Sequence, residues 1–252
     1  MFEKEDLIIN SIVFGSQLEA GALQENLLEQ VFAMGFKRFE VRREFLKSIP
    51  QELETLKEKA EKLDLALFYS VNENLLVDGK INPNLNDLIQ EADILGAPFL
   101  KLNIGDATSL TLTTLQTLKA PLSSNLNIVV ENNQDLKGGS LSNCSHFMSL
   151  VRQAGLPISF VFDTGNWAFL GESLSQASSR MSEFTTYLHC KNYQKALFGL
   201  ENSVSLFEGE IDIAPLILQF PKAKYLALEY PTTNDQLVAD AHKLSQLQKK
   251  DF

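Results

Sequence analysis

Short apolar runs rich in β-branched and aromatic residues alternate along this chain with longer stretches in which apolar residues recur at helical spacing. The alternation occurs eight times. It predicts strands at Leu7–Phe14, Arg38–Val41, Leu65–Tyr69, Phe99–Ile104, Ile128–Glu131, Phe160–Asp163, Tyr187–Lys191 and Tyr225–Glu229. Between them it predicts helices at Ala22–Met34, Gln51–Leu63, Asn84–Leu95, Ser109–Leu122, Leu141–Ala154, Ser173–Phe184, Ile213–Gln219 and Asp235–Lys249. The strands are apolar almost throughout, as parallel strands covered by helices are. Gly35, Gly96 and Gly155 each follow a predicted helix, where a glycine takes the left-handed conformation that ends it. No linker, low-complexity tract or short repeat divides the chain, and the first strand is not followed by a G-x-G-x-x-G turn. Eight strand–helix units in 252 residues predict an α/β protein, a single (β/α)8 TIM barrel with residues 1–252 as one domain.

In such a barrel the loops after the strands converge on one pocket, so chemistry gathers at the strands' C-terminal ends. Ile128–Val130 runs into Glu131, Phe160–Phe162 into Asp163, Tyr187-Leu188 into His189, and Leu226–Leu228 into Glu229. An acidic residue just past one strand is also what a helix cap or a solvated loop charge looks like. Four polar groups ending four successive strands are harder to explain in that way. Three carboxylates on one rim repel one another and lose hydration, and a divalent cation removes the conflict. Three oxygen donors and one imidazole form a mostly hard set, which favours Mn2+, Mg2+ or Co2+, with Zn2+ also compatible.

Charge and cysteine content narrow the picture further. With 32 acidic and 22 basic residues the formal charge is −10, which repels nucleic acid at long range. The two cysteines, Cys144 and Cys190, form no C-x-x-C pair, so neither a disulfide framework nor a thiolate cage is expected. The opening MFEKED is unlike an export signal, and no apolar run approaches the ~20 residues of a membrane span. These features predict a cytoplasmic protein without membrane or nucleic-acid partners, a monomer or homodimer.

The segments VVENNQ (Val129–Gln134), FDTGNW (Phe162–Trp167), LHCKNY (Leu188–Tyr193) and LEYP (Leu228–Pro231) resemble the xylose isomerase-like barrel superfamily, in its sugar phosphate isomerase/epimerase group that includes ketose 3-epimerases. The stretch FEGEID, Phe207–Asp212, is similar to that family's Gly-x-Ile-Asp turn. The resemblance implies that Glu131, Asp163, His189 and Glu229 bind one divalent metal ion and that Glu131 and Glu229 also move the proton. The spacings of 32, 26 and 40 residues between these four are close to those of the epimerases. Three positions depart from the ketohexose epimerase pattern: Asn166 stands for a histidine, Lys195 for an arginine and Lys137 for a glutamate. The resemblance therefore carries the metal set, not the identity of the sugar.

Further candidates follow from position. Lys191 shares strand parity with His189 and is placed either to contact a phosphate or enediolate oxygen or as an exposed loop lysine, whereas Cys190 turns toward the helices. Lys101 and Asn103 share a face of the fourth strand, and Asn133 lies beside Glu131. Arg42, in FEVRREF with Glu40 and Arg43, is placed either to clamp an anion or in a rim salt-bridge network. Asn166 and Trp167 lie at the rim, where the indole either stacks on a sugar or caps the core. Gly138-Gly139 offer N–H donors or simply turn the chain, and His146 and His242 fall in helices. The expected chemistry is proton transfer beside a carbonyl through an enediolate, on a sugar or sugar phosphate. Two other classes stay open: an abasic-site endonuclease-like metal hydrolase or lyase, which shares this barrel but needs more than the three histidines present, and a non-catalytic sugar-binding barrel.

Overall fold

The computed structural model describes residues 2–119 and 126–250. Eleven strands are present among them: β1 (Ile8–Asn10), β2 (Arg38–Arg42), β3 (Ala66–Val77), β4 (Lys80–Ile81), β5 (Phe99–Gly105), β6 (Asn127–Glu131), β7 (Ile158–Asp163), β8 (Thr185–Cys190), β9 (Tyr193–Ala196), β10 (Gly199–Asn202) and β11 (Tyr225–Leu228). Eight of these form a closed parallel ring in the order β2-β1-β11-β8-β7-β6-β5-β3, and β3 pairs with β2 to complete it. This is the expected (β/α)8 TIM barrel. No helix among the described residues is long and apolar enough to cross a membrane.

Because side chains alternate along a strand, each barrel strand serves two cores. Leu7, Ile9, Phe39, Val41, Leu100, Leu102, Ile128, Val130, Phe160, Phe162, Leu188 and Leu228 belong to the large core that also includes helix residues such as Leu53, Leu56, Leu88, Phe147 and Leu237. Residues of the other parity fill the barrel's interior: Ile8, Phe68, Phe99, Val129, Val161, Tyr187 and Ala227 form a second cluster, with Tyr225 packed on it. The rings of Phe68, Phe99, Tyr187 and Tyr225 meet at centroid distances of 5.2 to 5.9 Å in tilted or edge-on pairs, closing the barrel below the rim formed by the strands' C-terminal ends.

Several boundaries differ from the sequence expectation, each for a local reason. The first strand stops at Asn10 because its side-chain oxygen accepts the Ile12 N–H, and Ser11–Phe14 turn into a 3-10 helix. β3 runs on past Tyr69 to Val77, with an irregularity between Ser70 and Asn74, and folds back on β4 as a hairpin. The expected helix Ala22–Met34 divides into a 3-10 turn, Gln24–Asn26, and a helix, Leu28–Ala33. That at Ser109–Leu122 begins at Leu112, where Thr111 caps it, and its last residues lie outside the described residues. β9 and β10, and the short helices Gly15–Glu19 and Asn166–Phe169, carry too few periodic positions to stand out in the sequence. The three helix-stopping glycines behave as expected, with φ of +83° at Gly35, +76° at Gly96 and +64° at Gly155.

Candidate metal centre

The ends of β6, β7, β8 and β11 bring Glu131, Asp163, His189 and Glu229 together: one ligand atom from each lies within 4.8 Å of the others. All four are buried. Parallel register explains the convergence, since Asp163 sits directly beside His189 and Ala227, two residues below Glu229, is also opposite His189. The imidazole is the hub. Its Nδ1 lies 2.9 Å from Glu131 Oε1 and 3.0 Å from Glu229 Oε2, while its Nε2 lies 3.2 Å from Glu40 Oε1.

Glu40 in turn accepts hydrogen bonds from Asn10 Nδ2 at 2.5 Å and from the Tyr187 hydroxyl. It is wholly buried in the middle of β2. A carboxylate there holds the imidazole's Nε2 proton and makes Nδ1 the nitrogen turned toward the two glutamates; its proton is the one a metal ion would displace, as in histidines whose far nitrogen donates to a carboxylate. The sequence reading noted Glu40 but gave it no role. The available signal was its position inside an apolar strand, where a carboxylate is costly without partners.

Asp163 Oδ1 accepts the N–H groups of Gly165 and Asn166, while Oδ2 is buried without a hydrogen-bond partner. Lys191 Nζ lies 2.8 Å from that oxygen as an ion pair. Lys101 Nζ donates to Glu131 Oε2 at 2.5 Å, and Arg42 Nη1 to Glu229 Oε1 at 2.9 Å. Burial pushes every carboxyl upward, and neighbours decide the outcome. Lys101 and His189 override burial at Glu131 and hold it at about 2. Glu229 is held well below its usual value against burial by His189 and Lys191. Asp163, where burial outweighs the Lys191 charge, rises to about 7. Burial opposes charge on His189, but Glu229, Glu40 and Glu131 together raise its pKa well above the ordinary value.

Three buried carboxylates and one imidazole whose ligand atoms converge within 4.8 Å form a mostly hard donor set that fits a small divalent ion. Above them opens a cavity of about 360 Å³ lined by Arg42, Lys101, Glu131, Lys191 and Glu229, with amides from Asn72, Asn103, Asn133, Gln134 and Asn166 and the carboxylate of Asp135. Most of these are sequence candidates; Asn72, in the irregular part of β3, and Gln134 and Asp135, on the loop after β6, are not.

Trp167 is corrected: it is fully buried, its ring 5.4 Å from that of Phe162, and it caps the core instead of facing the cavity. Gly138 and Gly139 are not anion donors. Their N–H groups close a turn on Asp135, and a Cβ on Gly139 would lie 1.8 Å from the Asn133 carbonyl oxygen. Arg43 turns away to Glu91 and Glu73. Lys137 and Lys195 are exposed, the latter paired with Glu210, whereas Asn166 donates to the Asn132 carbonyl and accepts from Gln134. Cys190 packs in the core, and His146 and His242 are exposed.

No family model and no curated protein matches the chain by sequence. Solved structures do match it over nearly its whole length. The IolI protein with a bound zinc atom superposes with a TM-score of 0.71 at 12% identity, covering 98% of this chain and 99% of that one. The probable 3-DHS dehydratase AsbF of Bacillus anthracis gives 0.70 at 12%, covering 95% and 98%. D-psicose 3-epimerase in the presence of D-fructose gives 0.66 at 10%, covering 97% and 98%. What these structures share with the chain is the TIM-barrel fold. Dehydration and epimerisation both appear in the names of these proteins, so the barrel alone does not choose a reaction.

Proposed function

We propose that this chain is a divalent-metal-dependent isomerase or epimerase of a sugar or sugar phosphate. The observation that carries the reading is the convergence of Glu131, Asp163, His189 and Glu229 at the floor of a polar cavity. These four would hold the ion, which when bound supplies positive charge that polarises a carbonyl oxygen and stabilises the negative charge developing beside it.

The rest is done by the chain's own residues. Glu131 ends β6 and Glu229 follows β11, with β7 and β8 between them in the ring, so their carboxylates reach the cavity from separate sides. One, as a carboxylate, removes the proton next to the carbonyl and the other, as a carboxylic acid, delivers its own proton to the opposite face of the same carbon, giving epimerisation; return of the abstracted proton to the neighbouring carbon gives isomerisation. Lys101, Lys191 and Arg42 donate toward substrate oxygens from the cavity wall, and Asn133 and Asn166 bind hydroxyl groups. Asn133 Oδ1 is buried without a partner, as an acceptor awaiting a hydroxyl would be. The endonuclease-like alternative gains nothing from this geometry: His189 is the one histidine in the cluster, and the other two are exposed.

Incubation in D2O with a panel of pentoses, hexoses and their phosphates tests the reading. The correct substrate gains deuterium on the carbon beside its carbonyl, and Glu131→Gln or Glu229→Gln lowers that exchange by about 100-fold or more. A protein lacking both glutamates that still exchanges at the wild-type rate would place the base elsewhere. A metal-loaded protein that exchanges none of the panel would favour the non-catalytic sugar-binding barrel.

A further inference from the structure

Three carboxylates drawn together at one point ordinarily repel one another, yet here each has a cation of its own. Lys101 is 2.5 Å from Glu131, Lys191 is 2.8 Å from Asp163, and Arg42 is 2.9 Å from Glu229. These cations are not surface charges that drift in and out of contact. The Lys101 and Lys191 side chains are 3% and 11% exposed, and Arg42 is 17% exposed. Counting Glu40, four buried carboxylates face three fixed cations around His189. The site is thus close to balanced before any ion arrives, and a divalent ion moves its fixed charge from one negative to one positive. At separations of a few ångströms inside a barrel, like charges repel strongly. An entering ion therefore meets the Lys191 ammonium on Asp163 Oδ2 and the Lys101 ammonium on Glu131 Oε2, beside the Oε1 that faces His189.

Arg42 has a second carboxylate, Glu44, and so stays tied to the rim. The lysines differ: both line the cavity of about 360 Å³, which offers their flexible ends somewhere to go. We propose that Lys101 and Lys191 are resident counter-ions of the ligand set. They hold the metal-free site in shape, and a divalent ion binds by turning their ammonium groups away from Glu131 and Asp163 into the cavity. This rests on the reading that the four residues hold an ion. It adds that the chain sets its own metal affinity low, and that the displaced ammonium groups face whatever ligand occupies the cavity.

The test is a titration with Mn2+ alone, followed by the electron paramagnetic resonance of the free ion, on wild type, Lys101→Met, Lys191→Met and Lys101→Arg. The methionine variants keep the side-chain length and lose the charge, and should bind Mn2+ at least about tenfold tighter, while Lys101→Arg stays near wild type. Without metal they should melt lower than wild type, and Mn2+ should raise their melting temperature by more. A residue that merely packs against Glu131 would lower stability and metal affinity together. If wild type binds Mn2+ and both methionine variants bind it equally or more weakly, the counter-ion proposal is overturned and the metal reading stands. Binding by the variants but not by wild type supports the counter-ions and overturns metal dependence of the native protein. Absence of binding in all four overturns both. Should Lys101→Met fail to fold, Lys191→Met carries the same comparison.

Discussion

Glu40→Gln isolates the part of the site that neither touches the ion nor lines the cavity. The carboxylate takes three donors: Asn10 Nδ2, the Tyr187 hydroxyl and His189 Nε2. A glutamine of the same shape offers one oxygen where there were two, so at least one buried donor is left facing an NH2 group. Stranding one such donor costs about 1–3 kcal/mol. For a chain of this length that corresponds to a fall in melting temperature of about 2–4 °C per kcal/mol. The loss at the metal follows from the imidazole: without the charge that holds the Nε2 proton, Nδ1 is no longer fixed as the nitrogen that gives up its proton to an ion. Comparable outer partners weaken metal binding by about 10- to 100-fold when removed, or about 1.4–2.7 kcal/mol. Calorimetric titration with Mn2+ reads the affinity, and thermal melts in chelator and in Mn2+ read the stability. Tyr187→Phe, which removes one donor but leaves the carboxylate charge, should change the affinity by no more than about threefold. A folded Glu40→Gln protein with wild-type Mn2+ affinity would refute the argument that Glu40 sets the imidazole.

Two further outcomes are expected. Asp163→Ala or His189→Ala should abolish stoichiometric binding of a divalent ion, measured by elemental analysis after dialysis, while far-UV circular dichroism still shows the barrel, because rim residues contribute less to the packed core than to the site. Metal affinity should also depend on pH in one direction. Asp163, at about 7, and His189, raised well above its ordinary value, hold protons below neutrality that a ligand must release. Affinity should thus rise with pH through neutrality, by about tenfold per pH unit for each proton displaced, and calorimetry in buffers of different ionisation enthalpy counts the protons. Affinity that is flat across this range, or falls, contradicts the assignment.

The four candidate ligands were legible because an apolar run that stops at a polar, ionisable residue marks both a strand and its end. Glu131, Asp163 and His189 each do this on strands buried on both sides. Lys101 and Lys191 were legible through parity, although the sequence offered no means of seeing that each would be spent on a ligand carboxylate. Glu40 stayed hidden because its partners Asn10, Tyr187 and His189 are 30, 147 and 149 residues away and meet it only when the ring closes. The indole of Trp167 follows the polar Asn166 and looks like a rim residue. One short helix, Asn166–Phe169, turns it down into the core. The contributions of Asn72, at the register shift of β3, and Gln134, on the loop after β6, depend on local backbone shape that no periodicity encodes.

The aromatic layer beneath the site leaves the barrel with one entrance. Phe68, Phe99, Tyr187 and Tyr225 stop the lumen from below, and Tyr187 belongs to both levels, its ring edge-on to His189 at 4.7 Å and its hydroxyl on Glu40. Whatever reaches Glu131, Asp163, His189 and Glu229 must therefore come through the cavity above them. Under the proposed function that would impose a traffic order: an ion would have to arrive before the sugar, and a bound sugar would become the lid that keeps it in. A chelator would then strip the idle protein faster than the working one, and retention of the metal would be a property of turnover as much as of the ligands.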